Sequence, residues 1–319
     1  VIVDYVNGSF EKNLEDTSAL NYSFLNLGLS PSILILRDDL ELNLGATVYY
    51  SMDSENNDSS VFVYPNIEAS YRVAGEYFIA YAGLKGDLKQ NNYKDIVNEN
   101  PFVSPTLTIA PTDNQYKATL GIKGKLSEVV SYNLNGNFAN SENQLLFKSN
   151  PNRFAIGGDF EDYEYGNSFG VVYDNISTVS FFGELNFDVS KRLRLTANAE
   201  YFSYDTEFNE EAWNLPEFKA SILGDVKITE KFTAGAKIFF VGERFDELGT
   251  SDSFGNLSSQ VVSLDAYIDA NLKLSYDFNP QLSFFVRGNN LLSDNYEKWV
   301  NFPVYGIQGM AGATYKFDW

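Results

Sequence analysis

The sequence predicts an all-β fold, a transmembrane antiparallel up-and-down β-barrel that extends as a single domain over residues 1–319. Long segments alternate apolar and polar residues, so each strand has one apolar and one polar face. Tight polar turns and longer acidic connectors follow one another in alternation, as they do in barrels that span a membrane. The chain contains no apolar run of about 18 residues, and this excludes a transmembrane helix.

The alternation is clearest over residues 262–278, where every second side chain from Val262 to Phe278 is apolar. This segment is longer than the usual strand of about five or six residues. Residues 40–50 and 193–201 repeat the pattern. Such segments give about 14 strands, an even number that suits a closed antiparallel barrel. The predicted strands lie at residues 2–12, 18–36, 39–52, 59–72, 76–88, 114–126, 129–148, 167–188, 191–204, 215–228, 231–244, 259–278, 281–292 and 304–319.

The least regular predicted strand is 18–36. Its apolar phase slips between Phe24 and Leu25, and Pro31 has no backbone N–H to donate. We therefore expect a β-bulge in this strand.

Val1 falls almost directly inside the first strand, so we also expect further residues upstream, which would make these strands the C-terminal part of a larger barrel.

A soluble β-sandwich also alternates, because its inner face is apolar and its outer face is wet. The length of the strands and the two kinds of connector favour the membrane barrel over the sandwich. Tight turns are expected near residues 37–39, 73–75, 127–128, 190–192, 229–231 and 279–280. Longer acidic connectors lie near residues 53–58, 88–113, 149–166, 205–213, 245–258 and 293–303.

The composition removes most common catalytic chemistry. The 319 residues include no histidine and no cysteine, so a Ser-His-Asp triad, a thiolate site and a His-ligated zinc site cannot form. No spacing singles out a carboxylate pair for glycoside hydrolysis, and we expect neither enzyme activity nor a cofactor. The formal net charge of −20 would repel phosphates, which argues against nucleic acid as a partner.

The C-terminal region resembles the end of a TonB-dependent receptor barrel. Residues 289–296 (NNLLSDNY) are similar to the Asn-Leu-Phe/Leu-x-x-x-Tyr element that precedes the last strand in that family, and the chain ends in the aromatic residue Trp319. Residues 98–107 (NENPFVSPTL) and 212–218 (AWNLPEF) resemble the Bacteroidota branch of such barrels. Only the final stretch of the chain carries a motif of moderate specificity.

The resemblance implies a place in the bacterial outer membrane and leaves two functions open. In the first, the chain is the barrel of an energised importer of a siderophore, a glycan or a peptide. The family's plug domain and TonB box have no match in the sequence, so the second is a plug-less structural or accessory subunit of an outer-membrane complex, without transport. The implied partners are outer-membrane lipids and lipopolysaccharide, the barrel-assembly machinery, and other outer-membrane or lipoprotein subunits.

Charged residues on the predicted polar faces are candidates for the lining of the lumen. They form either a channel that selects cationic solutes or the solvated and paired side chains of a wet lumen. These candidates are Arg194 and Glu200 on one strand, and Asp265, Asp269 and Lys273 on another.

An acidic stretch in one long connector is a candidate metal site. Several carboxylates close together suit Ca²⁺, although their spacing does not fit an EF-hand. The alternative is a solvated loop that faces lipopolysaccharide, and the segment 53–58 allows the same two interpretations. The candidate ligands are Asp159, Glu161, Asp162 and Glu164.

Aromatic residues have three predicted roles. Those near strand ends fit the girdles that lie at the level of the lipid headgroups. Trp213 and Trp299, in long connectors, are candidates for stacking on an aromatic ligand. Tyr315, Phe317 and Trp319 form an apolar i, i+2, i+4 row, which we expect to act as the insertion signal read by the barrel-assembly machinery. The predicted girdle residues are Tyr49, Tyr50, Tyr201, Tyr204, Tyr315 and Trp319.

Overall fold

The computed structural model describes residues 1–14, 18–152, 161–251, 257–292 and 295–317. Within these ranges the helices are α1, Tyr93–Glu99, and a 3₁₀ turn, Asp162–Glu164, and neither is long and apolar enough to span a membrane. The strands are β1 Ile2–Phe10, β2 Leu20–Leu29, β3 Ser32–Arg37, β4 Leu40–Asp53, β5 Asp58–Ala74, β6 Phe78–Lys89, β7 Thr112–Ser127, β8 Val130–Ser149, β9 Phe169–Ser190, β10 Leu193–Thr206, β11 Phe218–Lys227, β12 Phe232–Val241, β13 Arg244–Ser251, β14 Leu257–Leu264, β15 Tyr267–Asp277, β16 Leu282–Asn289, β17 Glu297–Trp299, β18 Phe302–Pro303 and β19 Gln308–Tyr315.

Most strands belong to one large antiparallel sheet. Its order is β1-β2-β4-β5-β6-β7-β8-β9-β10-β11-β12-β15-β16-β19, with β3 paired to β4 beside β2. Strands that are adjacent in the sheet also follow one another in the chain, except where the short strands outside the sheet intervene. The topology is therefore up-and-down. The predicted all-β antiparallel fold is confirmed. The pairs β13–β14 and β17–β18 form two separate small sheets.

The predicted strand 18–36 is divided into β2 and β3, which both pair with β4. Leu29 is opposite Val48 and Ser32 is opposite Gly45, so two residues face two residues across the break and the register does not change. The expected bulge is therefore wrong. The ladder is interrupted by Pro31, which lacks the N–H, while its carbonyl still accepts from Ala46 N at 3.2 Å.

The predicted strand 259–278 is also divided, and here the prediction of one continuous strand is wrong. β14 pairs with β13 in a hairpin outside the large sheet, and β15 joins β12 within it. Leu264, at the end of β14, is 3% exposed and packs in a buried cluster instead of facing outward. The alternating pattern continues across the break because both strands have one apolar face, so periodicity gives no sign of the change of partner.

The two faces of the large sheet have opposite character. On β4, Val48 and Tyr50 are 40% and 41% exposed, whereas Thr47 and Tyr49, which alternate with them, are 6% and 5% exposed. The outward face presents apolar side chains, among them Leu272 on β15. The inward face carries polar side chains that bond to one another, as where Thr119 donates to Asn137 at 2.8 Å. Apolar surface exposed on this scale matches a sheet that contacts lipid.

The main buried apolar cluster lies at the end of the sheet where the long connectors meet. We call the described parts of residues 90–111, 161–168, 207–217, 242–266 and 290–307 the loop cap. Trp299 contacts Phe147 and Phe169, with ring centroids 5.1 and 5.4 Å apart. Leu107 and Ile109 complete the middle of this cluster. The long connectors are thus packed against one another instead of extending singly into solvent.

Candidate binding site in the loop cap

A cavity of about 220 Å³ lies in the loop cap. One side is formed by the connector that follows β6, with Gln90, Asp95 and Glu99. The other side brings together Trp213 and Trp299, the two residues that the sequence suggested for ligand stacking. Residues 86 positions apart in the chain therefore meet in one site, because the end of β8 lies between their connectors.

Two buried polar atoms of the residues that line this cavity have no hydrogen-bond partner within the described part of the chain. They are Nε1 of Trp299 and Oδ1 of Asn214. The two residues are 5% and 8% exposed. Trp213 differs, since its Nε1 donates to Oδ1 of Asn209 at 3.0 Å. Of the two indoles, that of Trp299 thus has a buried donor without a partner among the described residues, and that of Trp213 has a bonded donor.

A wholly buried carboxylate holds the cavity wall in place. Asp246 of β13 accepts hydrogen bonds from the backbone N–H of Ser149 at 3.0 Å and of Glu247 at 2.8 Å. It also accepts from Nδ2 of Asn214 at 2.9 Å, and the same Nδ2 donates to the carbonyl of Phe147 at 2.9 Å. The β13–β14 hairpin is thereby tied to β8 and to the connector that carries both Asn214 and Trp213.

Arg244, two residues before Asp246 in β13, binds the connector that carries Trp299. Its guanidinium donates to the carbonyls of Lys298 and Glu297, the latter at 2.7 Å. The guanidinium lies over the ring of Tyr267, 5.3 Å from the centroid. One hairpin therefore positions both tryptophans of the cavity.

Burial and hydrogen bonding shift the pKa values of these carboxylates in opposite directions. Burial raises the pKa of Asp246 in spite of its donors and of nearby Lys148, and burial lowers the pKa of Arg244. At Glu247 burial also acts to raise the pKa, but hydrogen bonds from Lys148 and Ser259, together with the charge of Lys148, outweigh it and lower the pKa. The ion pair of Lys148 and Glu247 is part-buried and adds a third tie between the hairpin and β8.

The predicted lumen residues do not form one group. Arg194 and Glu200 are on the inward face of β10, where Arg194 pairs with Asp188 at 2.9 Å and Glu200 is opposite Lys219. Lys273 is opposite Arg287.

The other two predicted lumen residues are both carboxylates, and they differ in position. Asp269 lies on the inward face of β15 with Lys273, is 3% exposed, and accepts from the hydroxyl of Tyr296, a residue of the loop cap, at 3.3 Å. Asp265 lies outside β15, in the turn that follows β14, and is exposed. The wall at Lys273 is basic because Arg287 is opposite it, which gives no support to selection of cations at that position. Whether the lumen selects solutes stays a prediction.

The acidic stretch serves local structure where the structure describes it. Asp159 lies outside the described residues. Glu164 is buried, and its Oε2 accepts from Lys12 at 3.0 Å and from the backbone N–H of Glu161 at 2.7 Å. Among the described residues no three or more carboxylates are grouped as metal ligands, Asp162 included. A calcium site in this stretch stays a prediction.

The segment 53–58 is a tight turn and not the long connector that we expected. Only residues 54–57 separate β4 from β5. Oδ1 of Asp53 accepts from the backbone N–H groups of Glu55 and Asn56 at 3.1 and 3.2 Å. Asn57 adopts a positive φ of 51°, which asparagine tolerates well in turns. The acidic residues here terminate a hairpin.

The aromatic residues near strand ends divide between the two faces. Tyr50, Tyr201 and Tyr315 are 41%, 44% and 52% exposed on the outward face, as a girdle requires. Tyr49 and Tyr204 face inward, so their assignment to a girdle is wrong. Neighbouring residues of a strand must face opposite ways, which separates Tyr49 from Tyr50.

The predicted insertion signal is described in part. Phe317 is 71% exposed, and its ring centroid lies 4.9 Å from that of Tyr315. Trp319 lies outside the described residues. The role of the three aromatics in insertion stays a prediction.

A second, larger hollow of about 510 Å³ lies on the outward face. The small residues Gly183, Ala197 and Ala220 form its floor, and Ile222 and Ile268 stand at its sides. Because its lining is apolar and faces the same way as the rest of the exposed apolar surface, it suits lipid contact. It is not a candidate site for a polar solute.

Sequence reasoning found the two tryptophans but missed Asn214, Arg244 and Asp246. Asn214 lies within the stretch AWNLPEF, which drew attention only as a resemblance. Arg244 and Asp246 stand in an acidic connector where charged residues are ordinarily solvated. Nothing local distinguishes them, because their burial depends on distant partners: Arg244 and Glu297 are 53 residues apart, and Asp246 and Ser149 are 97 apart.

No known protein-family model and no curated protein matches the sequence. Solved structures do match. The pyoverdine outer membrane receptor FpvA from Pseudomonas aeruginosa aligns with 95% of the chain at a TM-score of 0.64 and 15% identity. The ferric-catecholate import receptor Fiu from E. coli K12 aligns with 94% at 0.62 and 13%. The FrpB iron transporter from Neisseria meningitidis aligns with 93% at 0.63 and 12%.

The chain has the fold of a TonB-dependent receptor barrel. It spans 43%, 46% and 46% of the lengths of these three proteins. The resemblance seen in the C-terminal residues is thereby confirmed at the level of the fold. Identities this low carry no information on the ligand, and the assignment to the Bacteroidota branch stays a prediction.

Proposed function

We propose that the chain forms the barrel wall and loop cap of a receptor that imports a solute across the outer membrane of a Gram-negative bacterium. The observation that carries the proposal is the opposite character of the two sheet faces, with apolar Val48 and Leu272 outward and polar Thr47 inward. Such a sheet separates lipid from an aqueous interior. The fold shared with FpvA, Fiu and FrpB supports import, energised as in TonB-dependent receptors.

The loop cap is the part of this receptor that would meet the solute. It holds a cavity lined by Trp213 and Trp299 together with the polar residues Gln90 and Asn91, and it lies at the opposite end of the sheet from tight turns such as Lys191–Arg192. Sites for small molecules are concave and combine apolar walls with a few convergent polar groups. The cavity has both features.

The charge of the cap favours neutral or cationic solutes. Residues 207–217, the connector after β10, contain four acidic residues and no basic residue. A surface of one sign repels solutes of the same sign and raises the local concentration of the opposite sign. An anionic solute is therefore disfavoured at this end. The accessory-subunit hypothesis draws no support from the comparisons, which found receptors and transporters.

The test is uptake by intact cells of the bacterium that carries the gene. A strain that lacks the gene is compared with the complemented strain for the loss of small molecules and metals from defined medium, with and without an uncoupler. We expect at least one neutral or cationic compound to be depleted only in the complemented strain, and only without the uncoupler. Equal depletion in both strains, or depletion that persists with the uncoupler, would contradict energised import.

A further inference from the structure

Three basic side chains form a cluster on the inward face of β12, β15 and β16. Lys273 is directly opposite Arg287 on one side and Gly235 on the other, and Gly235 is two positions from Lys237 in β12. Residues that are directly opposite or diagonal in an antiparallel pair lie within about 8 Å of one another. All three charged side chains are exposed. We call Lys237, Lys273 and Arg287 the basic cluster.

The basic cluster has no carboxylate partner. None of its three side chains forms an ion pair within the described part of the chain. Lys85 and Arg194, which are also on the inward face, do pair, with Glu68 at 2.7 Å and with Asp188 at 2.9 Å. Like charges directly opposite one another destabilise a sheet, so the cluster calls for an anionic group from outside the wall.

The inward residues next to the basic cluster supply no such group. Apart from the members of the cluster, those directly opposite it, and those two positions along its strands, are all uncharged. They are Leu223, Gly235, Phe239, Asn271, Ser275, Phe285, Asn289 and Met310.

Two carboxylates, Asp225 and Asp269, stand diagonal to Lys237. Asp269 is 3% exposed and accepts from the hydroxyl of Tyr296 at 3.3 Å, so it is engaged within the protein. Asp225 is exposed, and its Oδ1 lies 3.0 Å from the point where a Cβ on Gly235 would stand. Because Gly235 has no side chain, the carboxylate of Asp225 lies over β12, beside the basic cluster.

We propose that the basic cluster and Asp225 bind a zwitterionic solute, with the solute's carboxylate on the cluster and its ammonium group on Asp225. The proposal rests on the function proposed above, since it names the chemical class of the solute. The guanidinium of Arg287 can donate two parallel hydrogen bonds to one carboxylate. The ammonium groups of Lys237 and Lys273 add positive charge beside it.

The charge of the loop cap favours a zwitterion over a simple anion. Residues 207–217 are acidic and repel a solute with net negative charge, whereas the basic cluster requires an anionic group. A solute that carries one carboxylate and one ammonium group has no net charge and meets both conditions.

Aromatic rings hold two of the three cations against the wall. Nζ of Lys237 lies 5.2 Å from the ring centroid of Phe239, and the guanidinium of Arg287 lies 5.4 Å from that of Phe285. Such contacts restrict the long side chains before a ligand arrives. The entropy lost on binding is therefore reduced.

The experiment is a titration of the full protein in detergent micelles with triglycine, followed by the broadening of the peptide's own NMR signals. An extended peptide of three residues spans about 10 Å, close to the two strand spacings of about 9.5 Å that separate β12 from β16. Triglycine with an acetylated amino end keeps only the carboxylate, and triglycine amide keeps only the ammonium group. We expect saturable broadening with triglycine, weaker binding of the acetylated peptide and none of the amide, with all binding reduced by salt.

Three variants separate the roles of the side chains. Lys273→Gln removes the central cation and should weaken binding of triglycine about fivefold, the upper end for an exposed ion pair. Asp225→Asn should weaken binding of triglycine but not of the acetylated peptide. The matched control is Lys219→Gln, which removes an exposed lysine of the inward face of β11 that is opposite Val241, and it should leave binding unchanged.

A thermal melt of each variant separates loss of binding from loss of fold. Lys273→Gln removes a like charge opposite Arg287, so it should melt no lower than the parent protein. If it melts lower, Arg287→Gln replaces it, with the same loss of binding expected. Equal losses in Lys273→Gln and Lys219→Gln, binding of the amide as tight as that of triglycine, or no saturable broadening with triglycine would overturn the proposal.

The failure of this proposal differs from that of the proposed import. Binding in micelles does not depend on an energised membrane, so binding of triglycine without any uptake by cells would contradict import and leave the zwitterion site standing. Energised uptake of a compound that has no carboxylate, together with no binding of triglycine, would leave import standing and overturn the site.

Discussion

Asn214 donates a hydrogen bond from Nδ2 to Oδ2 of Asp246 over 2.9 Å, although 32 residues separate the two in the chain. Asn214 has a positive φ of 62°, a conformation that asparagine adopts more readily than other non-glycine residues. This bond joins the β13–β14 hairpin to the connector that carries Trp213. Three of our predictions concern the hairpin, because its position determines the shape of the cavity.

Replacement of Asp246 should loosen the hairpin. Asp246→Ala leaves the N–H groups of Ser149 and Glu247 and Nδ2 of Asn214 short of an acceptor, at an expected loss of about 3 kcal/mol in the free energy of unfolding of the loop cap. Asp246→Asn keeps one acceptor oxygen and should lose less of this free energy of unfolding. The measurement is protease cleavage of the hairpin in micelles against denaturant. Asp265→Ala, which removes an exposed carboxylate of the same connector, is the control, and an equal effect of the two alanine variants would contradict the account.

Replacement of Arg244 should expose Trp299. Arg244→Met removes the hydrogen bonds to the carbonyls of Lys298 and Glu297 and the contact with Tyr267, so the connector is no longer held to the hairpin. We expect acrylamide quenching of tryptophan emission to rise at least about twofold, since buried carbonyls left without donors favour opening to water. Arg244→Lys keeps the positive charge but loses the planar guanidinium group, so quenching should lie between that of the parent protein and that of Arg244→Met. Unchanged quenching in Arg244→Met would show that the connector is held by other contacts.

The docking of the hairpin should depend on pH through Glu247. Its pKa in the folded protein lies below the ordinary value of 4.5, so the pair with Lys148 stabilises the hairpin above that pH. This contribution is lost as the pH falls through the lowered pKa of Glu247, because the protonated carboxyl no longer pairs with the ammonium. Protease protection of the hairpin should therefore fall on acidification below about pH 4.5.

The control for this pH dependence is Glu247→Gln. That variant should show weaker protection at neutral pH and a flatter profile below pH 4.5 than the parent protein. Asp246, whose pKa is raised, contributes in the opposite sense and is unchanged in both proteins. Identical profiles of parent and variant would rule out Glu247 as the group that titrates.

The architecture could be predicted because one face of a membrane sheet must be apolar along its whole length. The outward position of Val48 and Tyr50 and the inward position of Thr47 follow directly from that alternation. The prediction of one continuous strand over residues 259–278 failed because the alternation continues there while the partner strand changes. The strand from Leu257 to Leu264 leaves the sheet with its apolar face buried in the loop cap.

The candidate site could be predicted only in part. Trp213 and Trp299 were recognisable because a large aromatic side chain in a long polar connector needs a contact. Arg244 and Asp246 were not, because a charge in an acidic connector has no local sign of burial. Their role depends on long-range packing, in which the carbonyl of Lys298 and the N–H of Ser149 come to lie beside them.

The C-terminal aromatics should govern insertion in cells. Deletion of residues 317–319 removes Phe317 and Trp319, two of the three aromatic residues of the predicted signal, and should leave unfolded precursor in the periplasm, with less heat-modifiable barrel in the outer membrane. Tyr50→Ala, which removes an outward aromatic residue of β4, should lose some stability but still insert. If the deletion inserts as well as the parent chain, the assignment of the signal is wrong.

The outward face of β15 allows the most direct test of the central claim, that one face of this sheet contacts lipid and the other lines an aqueous interior. The protein has no cysteine, so single cysteines at residues 268, 270, 272 and 274, and at 271, 273 and 275, can each carry one nitroxide label in a lipid bilayer. Collisions with oxygen, which is concentrated in lipid, should be frequent at the first set, where Ile268 and Leu272 are 45% and 53% exposed. Collisions with a water-soluble nickel chelate should be frequent at the second set, on the face of Lys273. A profile without this period of two, or one with the two sets reversed, would contradict the account.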